Sequence, residues 1–380
     1  FIVSLVYLLN GLGVPEYLAI VNKSSTIYED EYINPKNVEI DFPKDKRNLI
    51  LITLESMDTS FEDYLLKDGS RVNLIPGLSK VAKENTSFKQ DSKPSGMQNV
   101  TNTTWTAASL IAQSSGVPLL EIIDINFATL KDEFMPGLVT LGDILEDQGY
   151  NNYFIMGSDA SFGSRDLYYK KHGNYELYDL KYQKEVGRLP EDYMVFWGYE
   201  DSKMFEYAKE DLIRISKGNK PFNYNILTAN THFMEGHVDE GNKEKYGGYA
   251  DAYYYSDKEV TEFINWVKEQ EFYKNTTIVL VGDHRTMNAS FLRNQGNERR
   301  LYNTYINPYK QADNLYREFT VLDTFPTIIS AIGGNIKGNR LGLGSDLFSD
   351  TETLVEKYGI DELNYQLRLK SDYYKKEFLE

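Results

Sequence analysis

Two short apolar, β-branched runs end abruptly in acidic or imidazole side chains: Asn48-Leu-Ile-Leu-Ile-Thr-Leu-Glu55 and, far downstream, Val279-Leu-Val-Gly-Asp283-His284. A run of this kind is how a buried central strand of an α/β sheet reads. Open α/β sheets place their ligand sites at the carboxyl ends of the strands. Two such strands meeting at one sheet edge would gather Glu55, Asp283 and His284 into an oxygen-rich set with one imidazole. That donor set suits a divalent metal ion. The chain reads as a metal-dependent enzyme of the α/β class.

From Asn48 onward strands and helices alternate. Strands are expected at 48–54, 151–156, 222–228 and 276–282, and helices at 105–115, 138–148, 199–216, 253–269 and 322–333. Alternation at this spacing implies a mainly parallel sheet with helices on both faces. Residues 1–47 read as a lead-in or linker, polar from Lys23, residues 48–295 as the main catalytic domain, and 296–380 as a smaller subdomain ending in a charged helix from Asp361 to Glu380. The opening run Phe1 to Leu9 is too short to span a bilayer, which takes about 20 apolar residues. It reads equally as the trailing edge of a membrane anchor lying upstream or as an amphipathic helix packed on the domain.

Composition removes several classes of function. Acidic residues outnumber basic ones, 57 to 41, for a formal charge of -16. Nucleic acid needs clustered Lys and Arg, so it is excluded as a partner. Charge alone would not hold the chain to an anionic membrane either. With no Cys there is no disulfide, thiolate metal site or Cys nucleophile.

Taken singly, the other candidates have plainer readings. Thr106 sits where a polar loop becomes a helix. It could be an ordinary N-cap worth about 1 kcal/mol, or a nucleophile at a helix end that attracts phosphate. Thr103 and Thr104 compete for that role. Arg165 could grip a phosphate in a two-pronged manner or form a surface ion pair with Asp166. Of four His residues, His232 and His284 both close strand-like runs, which favours a chemical role for each. His237 is a neighbouring candidate, and His172 reads as a surface residue.

In chain order these pieces resemble the alkaline phosphatase/sulfatase superfamily, and within it the lipoteichoic acid synthase and phosphoglycerol transferase branch. The matching segments are Leu51-Ile-Thr-Leu-Glu55-Ser56, Trp105-Thr106-Ala107-Ala108 with Gly116-Val-Pro-Leu119, Ser164-Arg165-Asp166, Thr231-His232 and Gly282-Asp283-His284. Trp197-Gly-Tyr-Glu-Asp201 and Gly342-Leu-Gly-Ser-Asp-Leu-Phe348 are similar to the phosphoglycerol transferases in particular. The resemblance implies a sulfatase/alkaline phosphatase-like central, mostly parallel sheet flanked by helices, with a smaller C-terminal subdomain. It also implies one divalent ion on Glu55, Thr106, Asp283 and His284, with Mn first and Mg or Zn as alternatives. Thr106, rather than Thr103 or Thr104, becomes the nucleophile. Arg165 and His232 fall where the glycerol phosphate head group is held, with Trp105 and His237 also on the substrate side. No Cys/Ser-x-Pro-x-Arg element is present, which speaks against sulfate-ester cleavage through formylglycine. The second Asp/His set of a two-metal phosphatase is also missing.

The activity implied is ping-pong transfer of glycerol phosphate from phosphatidylglycerol to a surface polysaccharide or glycolipid, at the extracellular face of a bacterial membrane. A glycerol-phosphate polymerase of the lipoteichoic acid type, or a phosphodiesterase or phosphatase using water, keeps the same site and changes the acceptor. A decayed relative that only binds cell-wall polymer would lack a ligand or the nucleophile, and this chain lacks none of the four.

Overall fold

A six-stranded sheet forms the centre of the molecule. Its strands are β1 (Asn48–Leu54), β2 (Asn151–Met156), β3 (Glu176–Tyr178), β4 (Phe222–Leu227), β5 (Thr276–Gly282) and β6 (Asn303–Ile306). They lie in the order β3-β2-β4-β1-β5-β6, parallel throughout except for the last pair. This computed structural model describes residues 23–90, 95–120, 134–292 and 299–380, with 11, 14 and 296. The run Phe1 to Leu9 lies outside the described residues. Among those described, no helix is long and apolar enough to cross a membrane.

The side-chain alternation of β1 explains the layers. Leu49 and Leu51 point to one face with Phe154, Met156, Val279 and Val281; Ile50, Ile52 and Leu54 point to the other with Tyr224, Ile226, Ile278 and Leu280. The sheet is therefore apolar on both sides and must be covered twice. The helices that do this are α1 (Pro76–Glu84), α2 (Thr106–Ser115), α3 (Leu141–Asp147), α4 (Asp201–Ile215), α5 (Tyr249–Lys268) and α6 (Thr324–Ala331). On the first face lie α2, α3 and α6, through residues such as Ile111, Leu145 and Ile328. On the second lie α1, α4 and α5, through residues such as Leu78, Leu212 and Ile264. Each such aliphatic side chain contributes about 1.5–3 kcal/mol on full burial.

The four expected strands are present to within a residue. Two more, β3 and β6, had no clear signal, because each is short and interrupted by polar residues. β6 lies beyond residue 296, on the far side of the expected domain boundary, yet it pairs with β5. The stretch read as a lead-in is folded onto the C-terminal region. Ser24 bridges Lys370, Ile33 bridges Gly342, and Ile40–Asp41 pairs with Asn335–Ile336. Buried Glu31 fixes this seam through Arg340, Lys357 and Tyr358. The expected C-terminal helix runs only over Ile360–Arg368, then restarts at Asp372 after Ser371 caps Tyr374 N. α5 begins at Tyr249, four residues before the expected start, because Gly247 and Gly248 adopt left-handed conformations there.

Glu259 on α5 is an uncomfortable acid. Its Oε2 is buried without a hydrogen bond. Burial first, then repulsion from Asp201, Asp239 and Glu262, pushes its carboxyl up to about 9. A raised carboxyl holds its proton in the fold, so stability falls as pH rises from the unfolded value towards about 9. Glu259→Gln should therefore be more stable than the wild type, by a margin that widens between about pH 5 and about pH 9. Urea melts at both ends of that range check this, and an unchanged margin would refute it.

Candidate metal centre and active site

Glu55 is the first residue past β1, and its backbone is held on both sides: its N–H donates to Thr228 Oγ1 (2.9 Å), and Thr231 Oγ1 donates to its carbonyl (2.5 Å). The chain then reverses at Ser56, a non-glycine residue with φ of 54°. That turn lets Ser56 N–H donate to Asp283 Oδ1 (2.7 Å) and Ser56 Oγ to Glu55 Oε1 (2.7 Å). Across from it, Gly282 closes β5. A Cβ there would stand 2.1 Å from Met57 O, so only glycine allows the two strand ends to approach.

His284 N–H donates to Asp283 Oδ1 (2.6 Å), and its Nδ1 lies 3.0 Å from Arg285 O. A proton on Nδ1 satisfies that carbonyl and turns Nε2 towards the site. Nε2 stands 3.3 Å from Glu55 Oε1, 3.5 Å from Asp283 Oδ2 and 3.3 Å from Thr106 Oγ1. Thr106 Oγ1 in turn donates to Glu55 Oε2 at 3.0 Å. α2 is pinned so that this hydroxyl cannot drift. Ser109 Oγ donates to Asp283 O (2.6 Å) and Gln113 Nε2 to Gly282 O (3.2 Å), from positions i+3 and i+7 on the face that carries Thr106.

Glu55, Asp283 and His284 are all buried and each offers a ligand atom within 4.8 Å of the others. Asp283 Oδ2 is buried with no hydrogen bond. Isolated carboxylates at such depth are costly, and they are found paired or on a cation. In the protein alone His284 supplies the positive charge. Burial works against its proton, but Asp283 and Glu55 outweigh that and hold it up at about 10. Glu55 is drawn down to about 2, because His284 overcomes its burial. Asp283 is pushed up to about 8 by burial and by Glu55. Two hard oxygens and an imidazole with an orphaned carboxylate oxygen fit a divalent ion, with Thr106 Oγ1 as a further donor.

Of the remaining sequence candidates, Arg165 and His232 lie near enough to Glu55 to feel its charge. Thr103 is buried and donates to Val100 O, and Thr104 is exposed, so Thr106 is the threonine at the site. Trp105, half-buried, is the N-cap residue of α2. Arg165 is buried, with Nε donating to Phe162 O and Nη2 to Ser158 Oγ and Asp159 O. It is therefore not a surface residue paired with Asp166. His232 Nδ1 lies 2.8 Å from Phe233 O, and its ring is 4.6 Å from the Trp197 ring. His237 stacks on Phe196 at 5.9 Å and contacts Asp239. Read from the sequence as a surface residue, His172 is instead buried between Asp143 and Phe134 O. Ser56 carried no signal beyond its place after Glu55.

This architecture, with a hard-ligand centre at the carboxyl ends of adjacent parallel strands, defines an alkaline-phosphatase-like α/β protein. The sequence matches the Sulfatase family over residues 47–318, and the chain belongs to that family. It is similar to phosphoglycerol transferase I from Escherichia coli, 29% identical over 317 residues. That match covers 81% of this chain and 40% of the relative, so the chain spans about two fifths of the relative's length. Its fold is similar to that of the lipoteichoic acid synthase LtaP from Listeria monocytogenes, with a TM-score of 0.61, 19% identity and coverage of 82% of this chain and 79% of that one. Streptococcus pyogenes phosphoglycerol transferase GacH in complex with sn-glycerol-1-phosphate gives a TM-score of 0.51 at 12% identity, covering 80% and 77%.

Ser56 provides a clean test of the centre. Ser56→Gly keeps the left-handed turn at little or no backbone cost and removes only the hydroxyl that orients Glu55. Affinity for Mn, read by electron paramagnetic resonance titration, should fall about 10- to 100-fold, the usual cost of losing a partner to a metal ligand, with the melting temperature little changed. Wild-type affinity in this variant would show that Glu55 needs no such support.

Proposed function

We propose that this chain transfers glycerol phosphate from phosphatidylglycerol to a cell-surface glycan through a covalent intermediate on Thr106. The observation that carries the reading is the placement of one aliphatic hydroxyl, Thr106 Oγ1, between Glu55 Oε2 and His284 Nε2 at the start of α2. Membership of the Sulfatase family and similarity to proteins named phosphoglycerol transferase support it. A divalent ion held by Glu55, Thr106, Asp283 and His284, with Mn first and Mg or Zn as alternatives, would lower the pKa of the hydroxyl and offset charge on the phosphate.

In the first half-reaction Thr106 Oγ1 attacks phosphorus, the ester bond to diacylglycerol breaks, and diacylglycerol leaves with the proton. In the second, the acceptor hydroxyl attacks the same phosphorus and Thr106 is regenerated. His232 has its Nδ1 occupied by Phe233 O, which leaves Nε2 to move a proton or donate to a phosphate oxygen. Arg165 spends Nε and Nη2 on its own loop and keeps Nη1 for a phosphate oxygen. The backbone N–H groups at the start of α2 add positive potential at the same place. Trp105, Trp197 and His237 supply ring surface for the glycerol and the sugar acceptor. The donor lipid sets the working place at the outer face of a bacterial membrane.

Incubation with Mn, phosphatidylglycerol and a glucan should yield a sugar phosphodiester of glycerol by phosphorus NMR. Free glycerol phosphate alone would mean that water is the acceptor, and a glycerol phosphate ladder would mean a polymerase. Thr106→Ala should abolish turnover and the covalent adduct seen by mass spectrometry with little loss of stability, since the N-cap of α2 is Trp105 and not Thr106. An adduct that persists would place the nucleophile elsewhere.

Arg165→Ala should weaken glycerol phosphate binding about 10- to 100-fold, from the loss of a charge-assisted bond worth about 1.5–3 kcal/mol. Titration calorimetry reads this directly. Unchanged affinity would confine Arg165 to tying its own loop.

A further inference from the structure

The first turn of α5 reaches beneath the site from the second face of the sheet. Tyr249 and Tyr253, one turn apart and both buried, point their hydroxyls at three different loops. Tyr249 OH lies 2.5 Å from Thr231 O and 3.0 Å from Thr286 Oγ1. Tyr253 OH lies 3.1 Å from Ser56 O and 3.3 Å from Tyr249 OH. Ser56 follows Glu55, Thr231 precedes His232, and Thr286 is two residues beyond His284. The loops after β1, β4 and β5 are thus tied to two adjacent phenols.

Counting protons gives the direction of each bond. Tyr249 has one proton and gives it to Thr231 O, so Thr286 must donate to the Tyr249 oxygen. Tyr253 gives its proton to Ser56 O, with the Tyr249 oxygen as a longer second acceptor. Burial keeps both phenols protonated, with Tyr249 up at about 12 and Tyr253 raised well above the ordinary phenol value. The rings are held independently of the hydroxyls: Phe61 lies 4.0 Å from Tyr253, and Phe291 lies 4.8 Å from Tyr249 and stacks on Tyr253 at 5.7 Å. Removing a hydroxyl should therefore leave the packing in place.

We infer that Tyr249 and Tyr253 are positioning residues that set the relative placement of the two halves of the site, Tyr253 acting through Ser56 on the metal ligands and Tyr249 through Thr231 on His232. The inference rests on the proposed transfer only where it gives His232 a part at the phosphate. Its metal-ligand half stands without that reading.

The test uses the whole chain loaded with Mn and the variants Tyr249→Phe, Tyr253→Phe and Tyr150→Phe. Tyr150 OH also donates to a backbone carbonyl, Arg47 O at 2.8 Å, but just before β1 begins, at the opposite end of the sheet. It therefore reports what losing such a bond does to stability alone. With bis(p-nitrophenyl) phosphate as substrate, Tyr249→Phe should lower kcat about tenfold or more while KM and Mn affinity stay within about twofold. Tyr253→Phe should weaken Mn affinity about fivefold or more, in the way that outer partners of metal ligands do. Tyr150→Phe should change neither. Wild-type kcat in Tyr249→Phe, or losses that Tyr150→Phe reproduces at an equal fall in melting temperature, would overturn the inference. If the wild type cleaves no phosphodiester, the transfer reading fails. The positioning role is then decided by Mn affinity, and an unaffected Tyr253→Phe overturns it.

Discussion

Asp283 Oδ1 accepts hydrogen bonds from the N–H groups of Ser56 and His284, and most of the site depends on those two bonds. They couple the ends of β1 and β5, hold Ser56 in its left-handed turn, and leave Asp283 Oδ2 facing Glu55 and His284. Around them the neighbouring groups are held by contacts of their own. Ser56 Oγ is committed to Glu55, Gly282 is the only residue that fits against Met57 O, and Ser109 anchors α2, which carries Thr106, to Asp283 O. A buried acid is costly without partners: here Oδ1 has two N–H donors and Oδ2 faces the His284 imidazole.

Much of this was legible in the chain because β1 and β5 are buried on both faces. A strand of that kind cannot hide in amphipathic alternation, and an ionisable residue at its end stands out. Glu55, Asp283 and His284 were therefore visible as a group. Thr106 was not separable from Thr103 and Thr104 by local pattern, since a polar loop entering a helix suits a hydroxyl at any of the three. Tertiary contacts decide between them: Thr103 turns back to Val100, and Thr106 faces Glu55. Tyr249 and Tyr253 were hidden for a different reason. Among 30 tyrosines, with Tyr253, Tyr254 and Tyr255 in succession, nothing in the local sequence says which hydroxyl meets a strand-end loop. His172 was misjudged because its burial comes from Phe134 and Asp143, partners far off in sequence. β6 was missed because antiparallel pairing on a parallel sheet needs only four residues.

Arg165, proposed above to meet the phosphate, is committed first to its own loop. Two of its three nitrogens satisfy carbonyl and hydroxyl oxygens of the Ser158–Phe162 loop, so the guanidinium is rigid before any ligand arrives. A rigid donor loses little conformational freedom on binding. The same commitment explains why a lysine would not replace it: a single ammonium cannot satisfy that loop and still reach outward.

The position of β1 has a consequence for how the chain is assembled. Its neighbours are β4 and β5, which begin at Phe222 and Thr276, so the strand that leads into Glu55 has no partner for its edges until synthesis has passed Phe222. The seam between residues 24–41 and 335–370 closes later still. Long-range pairing of this kind folds slowly and leaves apolar strand edges uncovered in the interim. Until those partners emerge, an Asn48–Leu54 segment that is apolar on both faces needs shielding.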